Sequence, residues 1–224
     1  GLIKGNTMQF DSDGTVATLH FDDGKANAIG HAFIDDIVLG LSRAQTEARA
    51  VLIVGRDGLL SGGFDLKVIN EGGNAVRVMM TKAADMFYQL LTHPQPVVIA
   101  CTGHAVAAGA FLLLSADTRI GSQGDFKIGL NETSIGSSFP EFGIQLATSR
   151  LNTAYLTRSF VQSELFSPPD AVQAGFLDGL EPRDLVVERA WLRAQKLSEL
   201  PQKAYAQNKR DSRRMAISAL GALQ

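Results

Sequence analysis

Residues 96–121 read PVVIACTGHAVAAGAFLLLSADTRIG. The run PVVIACTG is typical of a strand buried on both faces, and the small residues after it allow a helix to begin close to that strand. The helix start, AVAAGAFLLL, carries no ionisable side chain. Its chemistry must therefore come from backbone N–H groups, which at a helix start are free to donate to a phosphate or a developing oxyanion.

A second junction of the same kind lies upstream. AVLIVG at 50–55 is another buried-strand pattern, and the glycine-rich LLSGGFDLK at 59–67 follows it. Neither junction contains the Gly-Lys-Ser/Thr of a P-loop or the G-x-G-x-x-G of a dinucleotide-binding turn. The two junctions therefore argue against nucleotide binding of those kinds.

Strand and helix patterns alternate in the first part of the chain, and helical patterns dominate the rest. The predicted strands are 15–21, 50–55, 96–103, 117–122 and 126–129, and the predicted helices are 31–48, 73–92, 104–116, 144–163, 184–199 and 202–220. This order predicts an α/β protein with a core at 1–145. A helical C-terminal region at 146–224 is predicted to belong to the same functional unit.

The bulk composition excludes several classes of protein. The 224 residues carry a net charge of −2, which gives no electrostatic footprint for nucleic acid or a membrane surface. Cys101 is the one cysteine, so no internal disulfide forms, and this fits a reducing cytoplasm. No apolar run reaches the roughly eighteen residues that a membrane-spanning helix needs. His20, His31 and His93 lack metal-ligand spacing, so no metal site is expected.

Together the two junctions resemble the oxyanion-hole segments of the crotonase (enoyl-CoA hydratase/isomerase) superfamily. KANAIG at 25–30 resembles the family's N-terminal fingerprint, and FKIGLNETSIG at 126–136 its acidic catalytic segment. SPPDAVQAGFLDGL at 167–180 resembles the turn before its C-terminal helices. The resemblance implies a spiral core of ββα turns and a helical C-terminal region used for oligomerisation. The implied assembly is a homotrimer or a dimer of trimers.

The resemblance also implies a substrate and the residues that bind it. The family polarises the thioester carbonyl of an acyl-CoA with two backbone N–H groups, which fall here on Phe64 and Ala108. The family usually has glycines around the second donor, so Ala108 must reach the conformation that a glycine would take. Coenzyme A is part of the substrate, and no separate cofactor is implied. The other implied substrate-binding residues are Lys25, Ala26, Ala28, Ser61, Gly62, Gly63, Asp65, Leu66, Gly109, Phe111 and Gly136.

The family's carboxylates distinguish its reactions. Its hydratases hold one water between two glutamates, and the first of these positions is Phe111 here, whereas the second is Glu132. Hydration needs a base for the water and an acid for C2, but a 1,3-proton shift along an enolate needs only one group. Family isomerases that move a double bond from Δ3 to Δ2 commonly keep only the second glutamate. In this chain, burial of Glu132 among Ile128, Leu130 and Ile135 is expected to raise the pKa of its carboxyl towards neutrality.

Three functions therefore remain open. The leading prediction is an enoyl-CoA isomerase that uses Glu132 as acid and base. The first alternative is a 2-enoyl-CoA hydratase or another crotonase activity, in which Glu141 or a water replaces the missing carboxylate. The second alternative is a non-catalytic acyl-CoA-binding protein of the same fold. Glu141 is more typical of a solvent-exposed residue than of a catalytic one.

The remaining candidates have simpler interpretations. Cys101 is expected to be a small core hydrophobe, His104 to pack or to line the pocket, and Asp65 to shape the loop after the first donor. Lys67, with Lys25 as second candidate, is placed to pair with CoA phosphates, although both are more typical of solvated lysines.

Two surface patterns and one aromatic group complete the predictions. RDSRR at 210–214 is basic and is interpreted as a solvated helix face, with a neighbouring subunit's CoA as the alternative. An apolar stripe in the helix at 184–199 either joins subunits or covers its own core. The stripe consists of Ala190, Trp191, Ala194 and Leu197. Phe111, Phe139 and Phe142 are expected to crowd the acyl pocket and to favour short chains.

Overall fold

The computed structural model describes residues 8–222. Its strands are β1 (Met8–Ser12), β2 (Val16–Phe21), β3 (Ala50–Val54), β4 (Gly58–Ser61), β5 (Val97–Cys101), β6 (Gly103–Val106), β7 (Thr118–Ser122), β8 (Ile128–Gly129), β9 (Leu165–Phe166) and β10 (Gly179–Glu181). Its α-helices are α1 (His31–Glu47), α2 (Leu66–Glu71), α3 (Gly73–Thr92), α4 (Ala108–Ser115), α5 (Glu141–Arg150), α6 (Thr153–Leu156), α7 (Pro168–Ala174), α8 (Val186–Ser198), α9 (Gln202–Ser212) and α10 (Arg214–Gly221). A 3-10 turn occupies Thr133–Ile135, and a π-helical turn occupies Thr157–Val161.

The strands form two sheets. A six-stranded sheet has the order β1-β2-β3-β5-β7-β10, and a four-stranded sheet has the order β4-β6-β8-β9. The chain passes from β3 to β4, from β5 to β6 and from β7 to β8, so each turn gives one strand to each sheet. Pairing is parallel except for β1 with β2 and β8 with β9. The predicted spiral of ββα turns is confirmed.

The first sheet is covered on both faces, which explains its continuous apolar strands. In β3, Val51 and Ile53 join the core beneath α1, α3 and α4. Leu52 and Val54 point the other way, into a second cluster that α8 covers. Helix α4 is buried at every position, from Ala108 to Ser115, as expected for a helix that is apolar all round.

The apolar stripe of α8 packs against its own sheet. Ala190 and Ala194 are fully buried in the second cluster, and Trp191 and Leu197 pack against it. The stripe therefore covers its own core within the chain, while oligomerisation through this region stays a prediction. The C-terminal part of the chain also adds β9 and β10 to the two sheets. No helix among residues 8–222 is long and apolar enough to cross a membrane.

Four predicted elements were wrong in detail. The residues interpreted as a glycine-rich loop and as a helix start contain the short strands β4 and β6, which pair with each other. The helix predicted at 144–163 breaks at Leu151, which is extended, and Asn152 then begins α6 because its side chain accepts a hydrogen bond from Ala154 N at 3.1 Å. The helix predicted at 202–220 divides into α9 and α10 at Arg213.

Candidate active site

The two strand-to-helix junctions lie side by side because β4 and β6 are paired. A Cβ atom placed on Gly63 would lie 3.3 Å from the Ala107 Cβ and 3.7 Å from the Ala108 nitrogen. A Cβ on Gly109 would overlap the carbonyl oxygen of Ser61. These close approaches explain the small residues in both motifs, and they bring the segments of the two predicted donors into contact.

The two predicted donor amides are left without a backbone acceptor in the part of the chain that the structure describes. Their neighbours are engaged: Asp65 N donates to Ile29 O at 3.0 Å, and Ala107 N donates to Gly129 O at 2.9 Å. Neither Phe64 N nor Ala108 N makes a backbone hydrogen bond within residues 8–222. Two unused amides on adjacent segments are suited to hold one oxygen atom.

The KANAIG segment supports the first junction. Gly62 N donates to Ala26 O at 2.9 Å, and Ser61 Oγ donates to Asn27 O at 2.9 Å. The Asn27 Nδ2 donates to the carbonyl oxygens of Phe21 and Leu60, at 3.0 and 3.1 Å. Asn27 has φ 49°, a conformation that asparagine tolerates better than most residues. Sequence reasoning missed its role, although an asparagine between small residues is a signal for such a conformation.

The strained residue of the second junction is Ala107 and not Ala108. Ala107 has φ 56° and ψ −124°, whereas Ala108 is already the first residue of α4. The requirement for a glycine-like conformation was therefore placed one residue too late. A non-glycine residue in such a region costs on the order of 1–3 kcal/mol, and here it turns the chain so that Ala108 N becomes free.

Glu132 is buried at the start of the 3-10 turn. Only 8% of the residue is exposed, and its Oε1 has no hydrogen-bond partner among residues 8–222. Burial raises the pKa of the carboxyl to about 7, against smaller opposing contributions from backbone hydrogen bonds. Ile128 and Leu130 are buried as expected, but Ile135 is 67% exposed and was wrongly included among the residues that shield the carboxyl.

Backbone pairing brings Glu132 to the second junction. In the four-stranded sheet β6 pairs with β8, with Val106 opposite Gly129. Glu132 follows three residues after Gly129, and Ala108 follows two residues after Val106. A carboxyl group with a near-neutral pKa therefore lies on the segment next to the free amide of Ala108. Such a group exchanges protons reversibly near neutral pH.

Phe111 fills its position with an apolar ring. It is 1% exposed, and a Cβ on Gly143 would lie 2.9 Å from its Cζ. Phe111 belongs to a phenylalanine cluster with ring centroids about 4.8–6.4 Å apart. The cluster consists of Phe64, Phe87, Phe111, Phe139 and Phe142. A packed apolar ring therefore occupies the position that the family resemblance assigns to the first glutamate of a hydratase.

Glu141 lies outside this buried region. It is exposed at the first turn of α5, and its Oε1 accepts a hydrogen bond from Gln145 Nε2 at 2.9 Å. The interpretation of Glu141 as solvent-exposed is confirmed. Glu132 is the buried glutamate of the acidic segment.

The other predicted substrate-binding residues divide by exposure. Ser61, Gly63, Gly109 and Phe111 are buried, Ala28 and Asp65 are half-buried, and Lys25, Ala26, Gly62, Leu66 and Gly136 are exposed. Asp65 caps α2 by accepting from Lys67 N at 2.9 Å, which confirms that it shapes the loop. The exposed backbone and side chains of the KANAIG segment are available to a ligand at the surface.

The weaker candidates have structural roles. Cys101 Sγ is buried and donates to Gly103 O, and burial raises its pKa to about 12. His104 Nδ1 accepts from Lys127 N at 3.0 Å. Arg213 does not lie on a solvated face, because it pairs with Asp117 at 3.1 Å, so the interpretation of RDSRR is wrong at that residue. No group of three metal-ligating side chains is found within residues 8–222.

Comparisons with known proteins show which proteins this chain resembles. A family model described as enoyl-CoA hydratase/isomerase matches residues 11–222. A probable enoyl-CoA hydratase of Bacillus subtilis is 26% identical over 87% of this chain and 77% of its own length. The human mitochondrial enoyl-CoA delta isomerase 1 is 26% identical over 80% of this chain and 61% of its own. A crystal structure of an enoyl-CoA hydratase/isomerase family protein from Pseudomonas syringae superposes with a TM-score of 0.94 at 38% identity, covering 97% of this chain and 95% of that one.

Proposed function

Because this chain belongs to the enoyl-CoA hydratase/isomerase family, we propose that it moves a double bond of an enoyl-CoA thioester from Δ3 to Δ2, with Glu132 as the single acid and base. The observation that carries the proposal is the buried carboxyl of Glu132 with an unpaired Oε1, together with Phe111 at the position of a hydratase's first glutamate. One proton carrier is sufficient for a 1,3-shift and insufficient for ordinary hydration.

The proposed reaction has two proton transfers. The ionised Glu132 removes a proton from C2 of the 3-enoyl thioester, and the electrons move onto the thioester oxygen. The N–H groups of Phe64 and Ala108 stabilise this enolate oxygen, and each such donor contributes roughly a hundred- to a thousand-fold in rate. The protonated Glu132 then returns the proton at C4, and the carboxylate of Glu132 is regenerated for the next turnover.

A pKa near neutrality supports this double role. Burial raises the pKa of Glu132 to about 7, and a group with such a pKa both accepts and returns a proton near neutral pH. The unpaired Oε1 is ready to contact a carbon acid because no protein donor competes for it among the residues described.

A hydratase is the second candidate, because the relatives carry the names of both hydratases and delta isomerases. The Bacillus subtilis relative is called a probable enoyl-CoA hydratase, and a relative from Escherichia coli is a 2,3-dehydroadipyl-CoA hydratase. Hydration would require Glu141 or a second water to provide the missing acid. The contact of Glu141 with Gln145 on an exposed helix start argues against that arrangement.

The absorbance of the conjugated enoyl thioester separates the two reactions. We expect it to rise when the enzyme meets a 3-enoyl-CoA and to stay constant with a 2-enoyl-CoA. Loss of absorbance with the 2-enoyl-CoA would establish hydration instead. If neither substrate reacts while acyl-CoA still binds, the protein is a non-catalytic acyl-CoA-binding member of the family.

Two glutamine variants assign the carboxyl. Glu132→Gln should lower turnover of the 3-enoyl-CoA by at least about a hundred-fold, because it removes the only proposed general acid and base. Glu141→Gln is the matched control and should keep isomerase activity. Undiminished turnover in Glu132→Gln would contradict the mechanism, and a large loss in Glu141→Gln would contradict Glu132 as the single acid and base.

The proposed substrate carries its own coenzyme A, so we propose no separate cofactor. A homotrimer or a dimer of trimers remains the expectation from the family resemblance, and a cytoplasmic location remains the expectation from the single cysteine, Cys101. The acyl-CoA thioester is the small-molecule partner on which the proposal depends.

A further inference from the structure

A cavity of about 510 Å³ lies between α3, α5 and α10. Its apolar lining includes Met80, Ala84, Phe142 and Leu220, and the exposed charged residues Arg77, Asp85 and Glu141 also line it. A volume of this size is typical of small-ligand sites. An apolar interior that opens beside charged residues suits an alkyl chain better than a charged molecule.

Phe142 connects this cavity to the candidate active site. Its ring lines the cavity and is 2% exposed. The same ring packs edge-on against Phe64 at 6.3 Å and against Phe111 at 6.2 Å. Phe64 supplies one of the proposed oxyanion donors, and Phe111 lies in the helix that begins at the other. The Phe142 ring therefore contacts both the cavity and the side chains of Phe64 and Phe111, which belong to the segments of the two proposed donors.

The Phe142 ring is held in place from several sides. It stacks on Phe87 with centroids 4.8 Å apart, and Phe87 is a fully buried residue of α3. The next residue of α5, Gly143, also lies close to Phe111. A Cβ atom on Gly143 would be 2.9 Å from the Cζ of Phe111. Close-packed interiors resist such displacement, so the ring does not move aside without a cost to the core.

We propose that Phe142 limits the length of the acyl chain that this enzyme accepts. The inference rests on the proposed function, because it takes the thioester to be held by Phe64 and Ala108. A short acyl chain ends before it reaches the Phe142 ring. A longer chain meets the ring, which separates it from the cavity between α3 and α10. The enzyme therefore selects short-chain enoyl-CoA substrates, and the cavity is space that long chains would use if the ring were smaller.

The test compares chain-length preference in the wild type and in Phe142→Leu. Initial rates are measured with 3-hexenoyl-CoA and 3-dodecenoyl-CoA, and the readout is the ratio of the two kcat/KM values. We expect the wild type to prefer the hexenoyl substrate. In Phe142→Leu the dodecenoyl-to-hexenoyl ratio should rise by roughly four-fold for each methylene that enters the cavity. Phe142→Met retains most of the volume but is flexible, so it should shift the ratio in the same direction.

A cavity-filling variant tests whether the gain comes from this space. Ala84 lines the cavity from α3, and leucine there reduces its volume. Ala84→Leu in the Phe142→Leu background should remove the gain for the dodecenoyl substrate and leave the hexenoyl rate in place. Phe10→Leu is the matched control for loss of a buried ring, since Phe10 is also 2% exposed and belongs to β1 at an edge of the six-stranded sheet. It should leave the ratio unchanged.

Binding of saturated thioesters separates this inference from the proposed function. Dissociation constants of hexanoyl-CoA and dodecanoyl-CoA, measured by calorimetry, should show the same change of ratio in Phe142→Leu. A changed binding ratio without turnover of any 3-enoyl-CoA would disprove the isomerase and leave the chain-length role standing. An unchanged ratio in folded Phe142→Leu and Phe142→Met, or a wild type that accepts both lengths equally, would overturn the inference.

Discussion

At the scale of single residues, the proposed chemistry depends on an unfavourable burial. The side chain of Glu132 is unfavourable for the stability of the core, because its Oε1 is buried without a hydrogen-bond partner among the residues described. Desolvation disfavours the charged form and raises the pKa of the carboxyl from 4.5 to about 7. The same burial that adapts the group to proton transfer therefore lowers the stability of the folded state when the carboxyl is ionised.

The activity should depend on the ionisation of Glu132. The proposed mechanism starts from the carboxylate, and its pKa in the free enzyme is about 7. We expect kcat/KM for a 3-enoyl-CoA to rise with pH through that value and to level off above it. The measurement is a pH–rate profile between about pH 5 and 9. A profile that is already flat from pH 5 upwards would contradict a raised pKa at the catalytic base.

Stability should show the opposite dependence on pH. The pKa of Glu132 is higher in the folded state than in the unfolded state, so the folded state holds the proton more tightly. The free energy of unfolding should therefore fall as pH rises from about 4.5 to about 7. A shift of this size corresponds to roughly 3 kcal/mol. Glu132→Gln should therefore be more stable than the wild type above pH 7, and this difference should vanish near pH 4. Urea unfolding at the two pH values measures both.

Part of the candidate site is predictable from the sequence together with the family resemblance. The exposed position of Glu141, the loop-shaping role of Asp65 and the buried environment of Glu132 are as expected. The contact of Asn27 with Leu60 O was not predicted, because it joins residues 33 positions apart. Backbone torsions were also out of reach: a run of alanines does not reveal which one takes the positive φ.

At the scale of elements, the long apolar patterns were predictable and the short ones were not. Strand β3 is buried at every residue, so its β-branched run was sufficient to identify it. Strands β4 and β6 have four residues each and depend on pairing with each other, which the local pattern does not contain. Helix α7 was interpreted as a turn, although Ser167 caps it and Pro168 stands at its first position, which is a favoured helix start.

The junction between β6 and α4 should be under strain. Ala107 joins the two elements with φ 56°, where glycine is free of steric cost and alanine is not. We expect Ala107→Gly to stabilise the fold by about 1 kcal/mol, since relief of the strain exceeds the added flexibility of the unfolded chain. For a chain of this length that corresponds to a rise of roughly 2–4 °C in Tm, measured by calorimetry.

Ala110→Gly is the matched control for this change. Ala110 is fully buried inside α4 and has no positive φ, so glycine there removes a packed methyl group and weakens the helix. It should lower Tm, while Ala107→Gly raises it. Equal destabilisation by both substitutions would show that Ala107 carries no strain.

At the scale of the whole molecule, one buried carboxylate connects the C-terminal helices to the core. Asp117 lies between α4 and β7, and its carboxylate pairs with Lys209 Nζ at 2.7 Å and with Arg213 Nη2 at 3.1 Å. Tyr205 OH donates to it at 2.6 Å. Lys209 Nζ also donates to the carbonyl oxygens of His93 and Gln95, just before β5. Helix α9 is thereby fixed to the six-stranded sheet.

This attachment also positions the wall of the proposed acyl cavity. Helix α10 follows α9 directly at Arg213, and Leu220 of α10 lines the cavity opposite α3. Loosening of α9 should therefore weaken the position of α10, the helix that carries Leu220. Stability of the C-terminal region and chain-length selection should change together, although Asp117 touches neither the cavity nor the predicted donors.

Asp117→Asn should destabilise the protein by about 3–5 kcal/mol. The substitution leaves the buried ammonium of Lys209 and the guanidinium of Arg213 without a carboxylate, and an uncompensated buried charge is costly. Urea unfolding measures the loss, and limited proteolysis should cut first in α9 or α10. The matched control is Asp211→Asn, which removes an exposed pair with Arg214 and should cost no more than about 1 kcal/mol. If the two variants lose equal stability, Asp117 does not anchor the C-terminal helices, and α10 must be held by its packing on α3 and α5 alone.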